Sequence, residues 1–468
     1  MFDHARRPAS NGGAGTMKGY YLSALHIEER QEEKQGIPLA TPLLSASGLV
    51  EISSHLIEAQ KKLAAESIFQ IVDWIDAVAR CWADPNDSIR QEAESLLPRI
   101  TGDSLEMVRF TLNDLSKHLT RPVLLQLLEA EIGDPTLLDQ FRQKPKGVGF
   151  TRAFGPRLTA HILPGNLGGT ALFSLVCSLL AKSASLAKVS REEFLLPVLF
   201  ARSLEKIRPD LAQSLAVLTW ENSAIDLTRA LFQKADLAVI YGGEKTLEAL
   251  RKEIPPTTRA LFHGHRLSLG VIARESIQKE LAEQAATDIA LYDQRGCLSP
   301  HLYYVEAGGL NTPIEFAQLL AQSLYVSSYQ LPKGTTSSEE AAQIQQLRGT
   351  LPLKGGKVFP SPSGVDWTVL YDPDPPFSVS PLARTIWIKP VEDLSEIPAH
   401  LEAIRPYLQA VGMAVPQERQ TEVVLSLARL GVNRICAIGK MQNPPLTWHH
   451  DGRFRLLDLL RFVDWENT

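Results

Sequence analysis

Cys297 is the residue whose neighbours point most directly to covalent chemistry. It stands in Tyr292-Asp-Gln-Arg-Gly-Cys-Leu-Ser-Pro-His301, directly after a glycine that lets the backbone turn sharply. Ser299 and Pro300 are expected to start a helical turn, and the positive end of a helix dipole stabilises a thiolate. A thiolate is the species that attacks a thioester carbonyl. The alternative is a buried structural cysteine, which is common.

Asn166 is a candidate partner for that attack. It ends His161-Ile-Leu-Pro-Gly-Asn166, where a predicted strand turns into an apolar helix. Its side-chain N–H₂ can stabilise the oxyanion that forms when a thiolate attacks a carbonyl. The alternative is an asparagine that satisfies only its own turn.

Two histidines, His263 and His265, are candidate proton donors or acceptors. One of them can act as a general acid or base near neutral pH, and the other is expected to be structural. No carboxylate or cysteine stands beside them to complete a zinc site. In the tail, His449-His450-Asp451 is not expected to hold a metal either, because adjacent histidines rarely ligate together. No metal is therefore predicted.

Two segments are typical of dinucleotide binding. Lys188, Ser190 and Arg191 end a short predicted strand, where the lysine can reach a ribose and the arginine a 2′-phosphate. Tyr241-Gly-Gly-Glu-Lys-Thr246 lies between a predicted strand and a helix, so its backbone N–H groups can hold a pyrophosphate. Its candidate residues are Gly242, Gly243 and Thr246. A solvated basic loop and an ordinary turn are the respective alternatives.

Composition excludes several classes of protein. The chain has 468 residues with a net charge of −5. It therefore lacks the excess of basic residues that would indicate a nucleic-acid partner. Its four cysteines lie far apart and form no CxxC pair, which favours reduced thiols in the cytoplasm. The longest apolar run, 170–181, is shorter than the about 20 residues of a membrane span.

The elements that must position these residues change in character along the chain. Residues from about 50 to 145 show helical spacing of apolar residues, and strands alternate with helices from about residue 150. This alternation predicts an α/β fold whose mostly parallel sheets bind ligands at the carboxyl ends of their strands. The tail is predicted to end in an amphipathic helix. The domain boundaries we predict are a disordered leader (1–20), a helical section with a dinucleotide-binding lobe (21–264), a catalytic thiol lobe (265–440), and a tail that packs back or lies at a subunit interface (441–468).

The order Asn166, Lys188, Gly242-Gly243 and Cys297 resembles the aldehyde dehydrogenase superfamily. More closely, GCLSPH around Cys297, HGHRLSLG, and the tail GKMQNPPLTWHHDGR resemble the LuxC-type acyl-CoA reductases. The resemblance covers about residues 145–468, and the first 145 residues match only in being helical. It implies an aldehyde-dehydrogenase-like fold with a Rossmann-type lobe. It also implies a cysteine nucleophile, an asparagine oxyanion donor and a lysine that contacts the cofactor ribose.

Departures from the superfamily pattern are informative. Aldehyde-oxidising members carry a general-base Glu that activates water, and this sequence places His263 or His265 there. The absence of this Glu fits an enzyme that keeps its acyl intermediate from hydrolysis until hydride attacks it. NAD-preferring members often carry a Glu three residues after the lysine. Here that residue is Arg191, which favours NADPH.

The predicted function is NADPH-dependent reduction of a fatty acyl-CoA to the aldehyde through an acyl-cysteine. One alternative keeps the chemistry but takes the acyl group from a protein partner, an acyl-protein synthetase or acyltransferase. The others are an NAD(P)-dependent aldehyde dehydrogenase and a non-enzymatic dinucleotide-binding scaffold. The resemblance also suggests a homo-oligomer.

Overall fold

The computed structural model describes residues 16–23, 25–144, 147–165 and 168–466. The α-helices are α1 Ala46–Ala65, α2 Ile68–Ala83, α3 Ser88–Thr101, α4 Leu105–His118, α5 Arg121–Ile132, α6 Gly168–Leu180, α7 Leu195–Ile207, α8 Pro209–Ala212, α9 Ile225–Lys234, α10 Glu244–Arg251, α11 Lys279–Ala290, α12 Pro313–Gln330, α13 Ser338–Thr350, α14 Ile397–Leu401 and α15 Gln417–Arg429. The strands are β1 Met17–Lys18, β2 Tyr21–Leu22, β3 Glu29–Lys34, β4 Ile37–Pro42, β5 Arg142–Gln143, β6 Phe150–Phe154, β7 Leu158–Ile162, β8 Ala184–Lys188, β9 Leu215–Leu218, β10 Leu237–Tyr241, β11 Arg259–His263, β12 Leu267–Ile272, β13 Pro300–Glu306, β14 Lys357–Pro360, β15 Thr368–Tyr371, β16 Thr385–Val391, β17 Leu408–Ala414, β18 Arg434–Ala437 and β19 Arg461–Trp465.

Apolar runs such as Leu237–Tyr241 form strands that are buried on both faces, as expected for a parallel sheet covered by helices. The first sheet has the order β11-β10-β7-β8-β9-β2, and only β2 runs antiparallel to its neighbour. The second sheet has the order β14-β15-β16-β13-β12-β17-β18, with β14 antiparallel. The chain passes from the first sheet to the second between His263 and Leu267. These sheets confirm the predicted α/β class.

Helices α1 to α5 lie between β2 and β7 in the chain; α1 packs on β7 and β8, and α2 and α3 pack on α7. Their amphipathic sequences bury one face, and side chains such as Ser45 and Asp87 cap their N-termini by accepting backbone N–H groups. Trp82 on α2 is buried against Phe200 on α7, and its Nε1 donates to Ser203 Oγ at 3.0 Å. The helical section therefore shares a core with the first lobe.

Both ends of the chain differ from the predictions. The leader was expected to reach residue 20, but Met17–Lys18 pairs with β4, and Tyr20 packs in the core of the first lobe at 5 % exposure. Residues 1–15 lie outside the described ranges. The predicted terminal helix is wrong: a short 3-10 turn at Leu457–Leu459 leads into β19, which runs antiparallel to β6. Hydrogen bonding to the backbone of β6 favours a strand here. Leu456 and Leu460 pack in the hydrophobic core that contains the helices of the helical section.

Within the described residues, no helix combines the length and the apolar character needed to cross a bilayer.

Candidate active site

Cys297 follows a turn in an unusual backbone conformation. Tyr292, Asp293 and Gln294 all have positive φ, between 49° and 66°, which is strained for residues with side chains. Buried contacts hold the turn. Asp293 Oδ1 accepts from Arg384 Nε at 2.7 Å with both side chains 1 % exposed, and Gln294 Nε2 donates to the carbonyl of Pro300. The thiol is thus presented by a rigid, over-determined loop.

The predicted helix after Cys297 is wrong. Pro300 begins β13, a strand fixed by pairing with β12 and β16 on either side. Among the described residues, no helix begins directly after Cys297, so this segment does not supply the predicted dipole. Burial raises the pKa of Cys297 to about 11, and the negative charge of Asp451 adds to the effect. A neutral thiol at neutral pH needs a proton acceptor before it can attack a carbonyl.

Two cavities meet at Cys297. The first has a volume of about 530 Å³ and the second about 420 Å³, and the cysteine lines both. The first is bounded by α4, α6 and the tail. Its apolar and aromatic lining includes Leu115, Phe173, Leu298, Leu446 and Trp448.

The second cavity gathers five of the predicted site residues. Gly242 and Gly243 line it at the end of β10, together with His263, His265 and Cys297. Thr246 is exposed on the first turn of α10, in the helix that Gly243 caps. The cavity thus lies at the carboxyl ends of the first sheet's strands, where α/β folds bind their ligands.

The Lys188–Arg191 segment lies beside this region but is already paired. Lys188 donates to the side chain of Asn222, and burial lowers the pKa of its ammonium. The Arg191 guanidinium contacts two carboxylates, Glu221 and Glu32, which the sequence did not suggest as its partners. A 2′-phosphate would therefore have to compete with these ion pairs for Arg191.

Ser190 packs against the loop that precedes Asn166. Asn166 itself lies outside the described residues, so its predicted role as oxyanion donor stays a prediction. Its neighbour Gly165 lines both cavities, and a Cβ there would lie 2.5 Å from Ser190 Oγ. Only glycine lets the two segments approach this closely.

Sequence reasoning missed a cluster formed by His263 and the tail. His263 Nδ1 donates to Oδ2 of Asp451 at 2.7 Å, and Arg266 Nε donates to Oδ1 at 3.0 Å. The ring of His263 is nearly parallel to those of Tyr241 and His450, at centroid distances of 4.4 and 5.1 Å. The WHHDG segment contained the residues of this cluster, but its aspartate is 188 positions from His263, so the sequence did not show that the two side chains meet.

Burial and charge set the protonation of this cluster. Burial lowers the pKa of His450 to about 3, so its ring is neutral at neutral pH. Burial alone would raise the pKa of Asp451, but the hydrogen bond from His263 and the nearby positive charges hold it well below its usual range. Asp451 is therefore an ionised carboxylate beside a neutral imidazole.

The same cluster has a geometry that a metal could use. Ligand atoms of His263, His450 and Asp451 lie within 4.8 Å of one another. Both carboxylate oxygens are already engaged, one by His263 and the other by the cationic Arg266. This arrangement favours acid–base chemistry over cation binding, and His449 takes no part in it.

Comparison with known proteins places the chain in a family. The family model described as "Acyl-CoA reductase (LuxC)" matches residues 63–462. A long-chain acyl-protein thioester reductase of Photobacterium phosphoreum is 26 % identical over 446 residues, which cover 94 % of this chain and 88 % of that protein. The protein of the same name from Aliivibrio fischeri is 26 % identical over 402 residues, 85 % of this chain and 82 % of its own. The expectation that the resemblance begins near residue 145 is therefore wrong, since the helical section is part of it.

Solved structures confirm the predicted fold. Aldehyde dehydrogenase 21 from Physcomitrella patens superposes with a TM-score of 0.75 at 10 % identity, covering 97 % of this chain and 99 % of that one. An NADP-dependent glyceraldehyde-3-phosphate dehydrogenase from Bacillus halodurans gives 0.74 at 14 % identity, covering 96 % and 98 %. The chain therefore belongs to the LuxC family of acyl-CoA reductases and has an aldehyde-dehydrogenase-like fold.

Proposed function

We propose that this protein reduces a fatty acyl thioester to the aldehyde with NADPH, through an acyl group carried on Cys297. The observation that carries the proposal is the position of Cys297 on both cavities, of about 530 and 420 Å³. A thiol in this position can accept an acyl group from one side while a dinucleotide lies on the other.

The first cavity suits an acyl chain. Leu115, Phe173, Leu446 and Trp448 present apolar surface to it, and each methylene buried there contributes about 0.8 kcal/mol. The relatives are named for long-chain acyl groups, which supports a fatty acyl substrate.

The second cavity suits a dinucleotide. Gly243 is the N-cap of α10 and provides no side-chain cap, and a Cβ there would meet nothing within 4 Å. The first N–H groups of the helix are therefore open to a pyrophosphate. Lys188 would contact the ribose from the end of β8, and Arg191 favours NADPH over NADH. When bound, NADPH supplies the hydride that reduces the acyl group.

The residues of the chain have distinct roles in the proposed reaction. Cys297 Sγ attacks the thioester carbonyl, and the oxyanion is held by the backbone N–H of Cys297 and by Asn166. The superfamily's water-activating Glu is replaced by histidine, and His263 is committed to Asp451. The absence of that Glu argues against an oxidising aldehyde dehydrogenase.

The acyl donor has two candidates. The family description names acyl-CoA, whereas the names of the relatives specify an acyl protein. Both donors present the same thioester to Cys297. We propose free acyl-CoA as the donor to test first, and delivery by an acyl-protein synthetase or acyltransferase as the second candidate.

Single-turnover acylation tests this function. Purified protein is incubated with a chain-length series of acyl-CoAs without cofactor, and intact mass with peptide mapping locates the adduct. We expect one acyl group on Cys297, released as aldehyde when NADPH is added. Cys297→Ala abolishes the adduct, whereas the control Cys436→Ala retains it. If only an acylated partner protein gives the adduct, the second donor is correct. If neither donor acylates Cys297, the proposal is wrong and a scaffold role is favoured.

A further inference from the structure

His450 lies at the junction of the two cavities and is not used in the mechanism above. It lines both cavities together with Cys297. Its ring centroid is 5.2 Å from that of Trp448, a member of the small apolar cluster against which Cys297 packs. The His450 ring also stacks on that of His263, with the centroids 5.1 Å apart, so two neighbouring rings contact it.

We propose that His450 accepts the proton of Cys297 when the thiol attacks the thioester, and that His263 and Asp451 position its ring. This inference rests on the proposed acyl transfer to Cys297. His450 is the catalytic residue in this scheme, because it lines the same two cavities as the Sγ atom of Cys297. His263 and Asp451 act only through it.

Hydrogen bonding distinguishes His450 from the other histidines near the thiol. His263 Nδ1 is committed to Asp451, and His301 Nδ1 accepts the backbone N–H of Ser380. By contrast, no hydrogen bond to a ring nitrogen of His450 is found among the described residues. Because burial keeps this ring neutral, one nitrogen has a free lone pair at neutral pH. His265 lines only the second cavity.

The charges around the pair act on both groups. Asp451 favours a positive charge on His450 but opposes a negative charge on Cys297, whereas Arg266 and Arg455 favour the thiolate and oppose the imidazolium. Burial opposes an isolated charge on either group, but the transfer creates both charges together, so each compensates the other. The titratable and charged groups beside this pair are Asp451, His263, His265, His301, Tyr241, Arg266, Arg295 and Arg455. The first cavity is also lined by Lys34, Asp103, Asp114, His118, Glu192, Glu193 and Tyr292.

The turn that carries His450 is held in place by contacts of its neighbour Asp451. Asp451 has a φ of 56°, and its carboxylate is anchored to both His263 and Arg266. A left-handed aspartate is strained and persists only where its contacts over-determine it. These contacts tie the tail to the end of β11.

The step balances without any redox change. The proton moves from Sγ of Cys297 to a ring nitrogen of His450 as Sγ bonds to the carbonyl carbon. When the bond between that carbon and the donor sulfur breaks, the same proton passes to the departing sulfur. The products are acyl-Cys297, a free donor thiol and neutral His450. Hydride reduction follows as a separate step.

The pH dependence of acylation tests the proposal. The full-length protein is mixed with tetradecanoyl-CoA without cofactor, and adduct formation is timed from about pH 6 to about pH 10. Since the His450 lone pair is available throughout, the wild-type rate should vary little. His450→Gln should be about 10²- to 10⁴-fold slower at neutral pH, the usual contribution of a general base. Its rate should also rise about tenfold per pH unit, because solvent must then form the thiolate.

Matched variants separate catalysis from folding. His449→Gln changes the exposed neighbour, which packs on Phe454, and should keep the wild-type rate and profile. His450→Ala should be rescued by added imidazole, which a purely structural role does not predict. His263→Gln should lower the rate but keep the flat profile. A His450→Gln protein with the wild-type profile, or no rescue of a folded His450→Ala protein, contradicts the proposal. If wild-type Cys297 is not acylated by any donor, the proposed function itself fails, and the role of His450 fails with it.

Discussion

Arg191 is the residue on which the preference for NADPH depends. Its guanidinium lies between Glu32 and Glu221 and is 46 % exposed. Ion pairs at such exposure contribute little, because solvent screens them and both side chains lose entropy. A doubly charged 2′-phosphate offers a bidentate partner and can replace them.

Substitution of Arg191 should therefore separate the two cofactors. We expect Arg191→Ala to raise the KM for NADPH by about tenfold or more, since one charge-assisted hydrogen bond contributes about 1.5–3 kcal/mol. The KM for NADH should change much less. Glu221→Gln should lower the KM for NADPH, because it removes a competitor for the guanidinium. Steady-state kinetics with both cofactors measure these effects. Arg229→Ala, which alters an exposed pair with Asp226, is the control. An equal effect on both cofactors contradicts the role of Arg191.

At the scale of elements, the turn before Cys297 depends on one buried ion pair. Arg384 reaches from the start of β16 to Asp293, and its other nitrogens donate to the carbonyls of Leu331 and Pro332. Asp293 also accepts the backbone N–H of Gly334. Three loops thus meet at one carboxylate.

Asp293→Asn should damage this arrangement, because it leaves the buried guanidinium of Arg384 without a compensating charge. Breaking a buried pair in this way costs about 3–5 kcal/mol. We expect a lower thermal midpoint and slower acylation of Cys297, since the turn that presents the thiol loosens. Calorimetry and adduct formation measure the two effects. The matched control is Asp226→Asn, at an exposed pair, which should change neither. Unchanged melting of the Asp293 variant would show that the pair does not hold the turn.

Local sequence patterns predicted the elements that local contacts determine. The apolar run Leu237–Tyr241 favours a buried strand whichever strands pair with it, so its composition was sufficient to predict the strand. Pro300 was mispredicted because pairing with distant β12 and β16 decides its conformation. Contacts such as that of Arg191 with Glu32 or of His263 with Asp451 join positions more than 150 residues apart. No spacing rule reveals them, although each residue type was visible.

At the scale of the whole molecule, the site depends on parts from three regions of the chain. Helix α4 supplies Leu115, the second lobe supplies Cys297, and the tail supplies Trp448 and His450. The homo-oligomer suggested by the resemblance stays a prediction. Within one chain, the tail packs against the helical section and closes the first cavity.

Glu131 is the main polar anchor of that return. At the end of α5 and 9 % exposed, its carboxylate accepts the backbone N–H groups of Arg455, Leu456 and Leu457. An amide has one acceptor oxygen and two donors, so Glu131→Gln leaves at least one buried N–H poorly paired and removes the charge. Each lost charge-assisted hydrogen bond contributes about 1.5–3 kcal/mol.

We expect Glu131→Gln to release the tail before the rest of the chain unfolds. Limited proteolysis should cleave the variant faster within residues 441–466, and acylation of Cys297 should slow because Trp448 and His450 move with the tail. Glu129→Gln changes an exposed carboxylate on the same helix and should behave as wild type. Identical cleavage of the two variants would show that β19 alone holds the tail. Faster cleavage without slower acylation would show that the segment 448–450 is fixed independently, through the contact of Asp451 with His263.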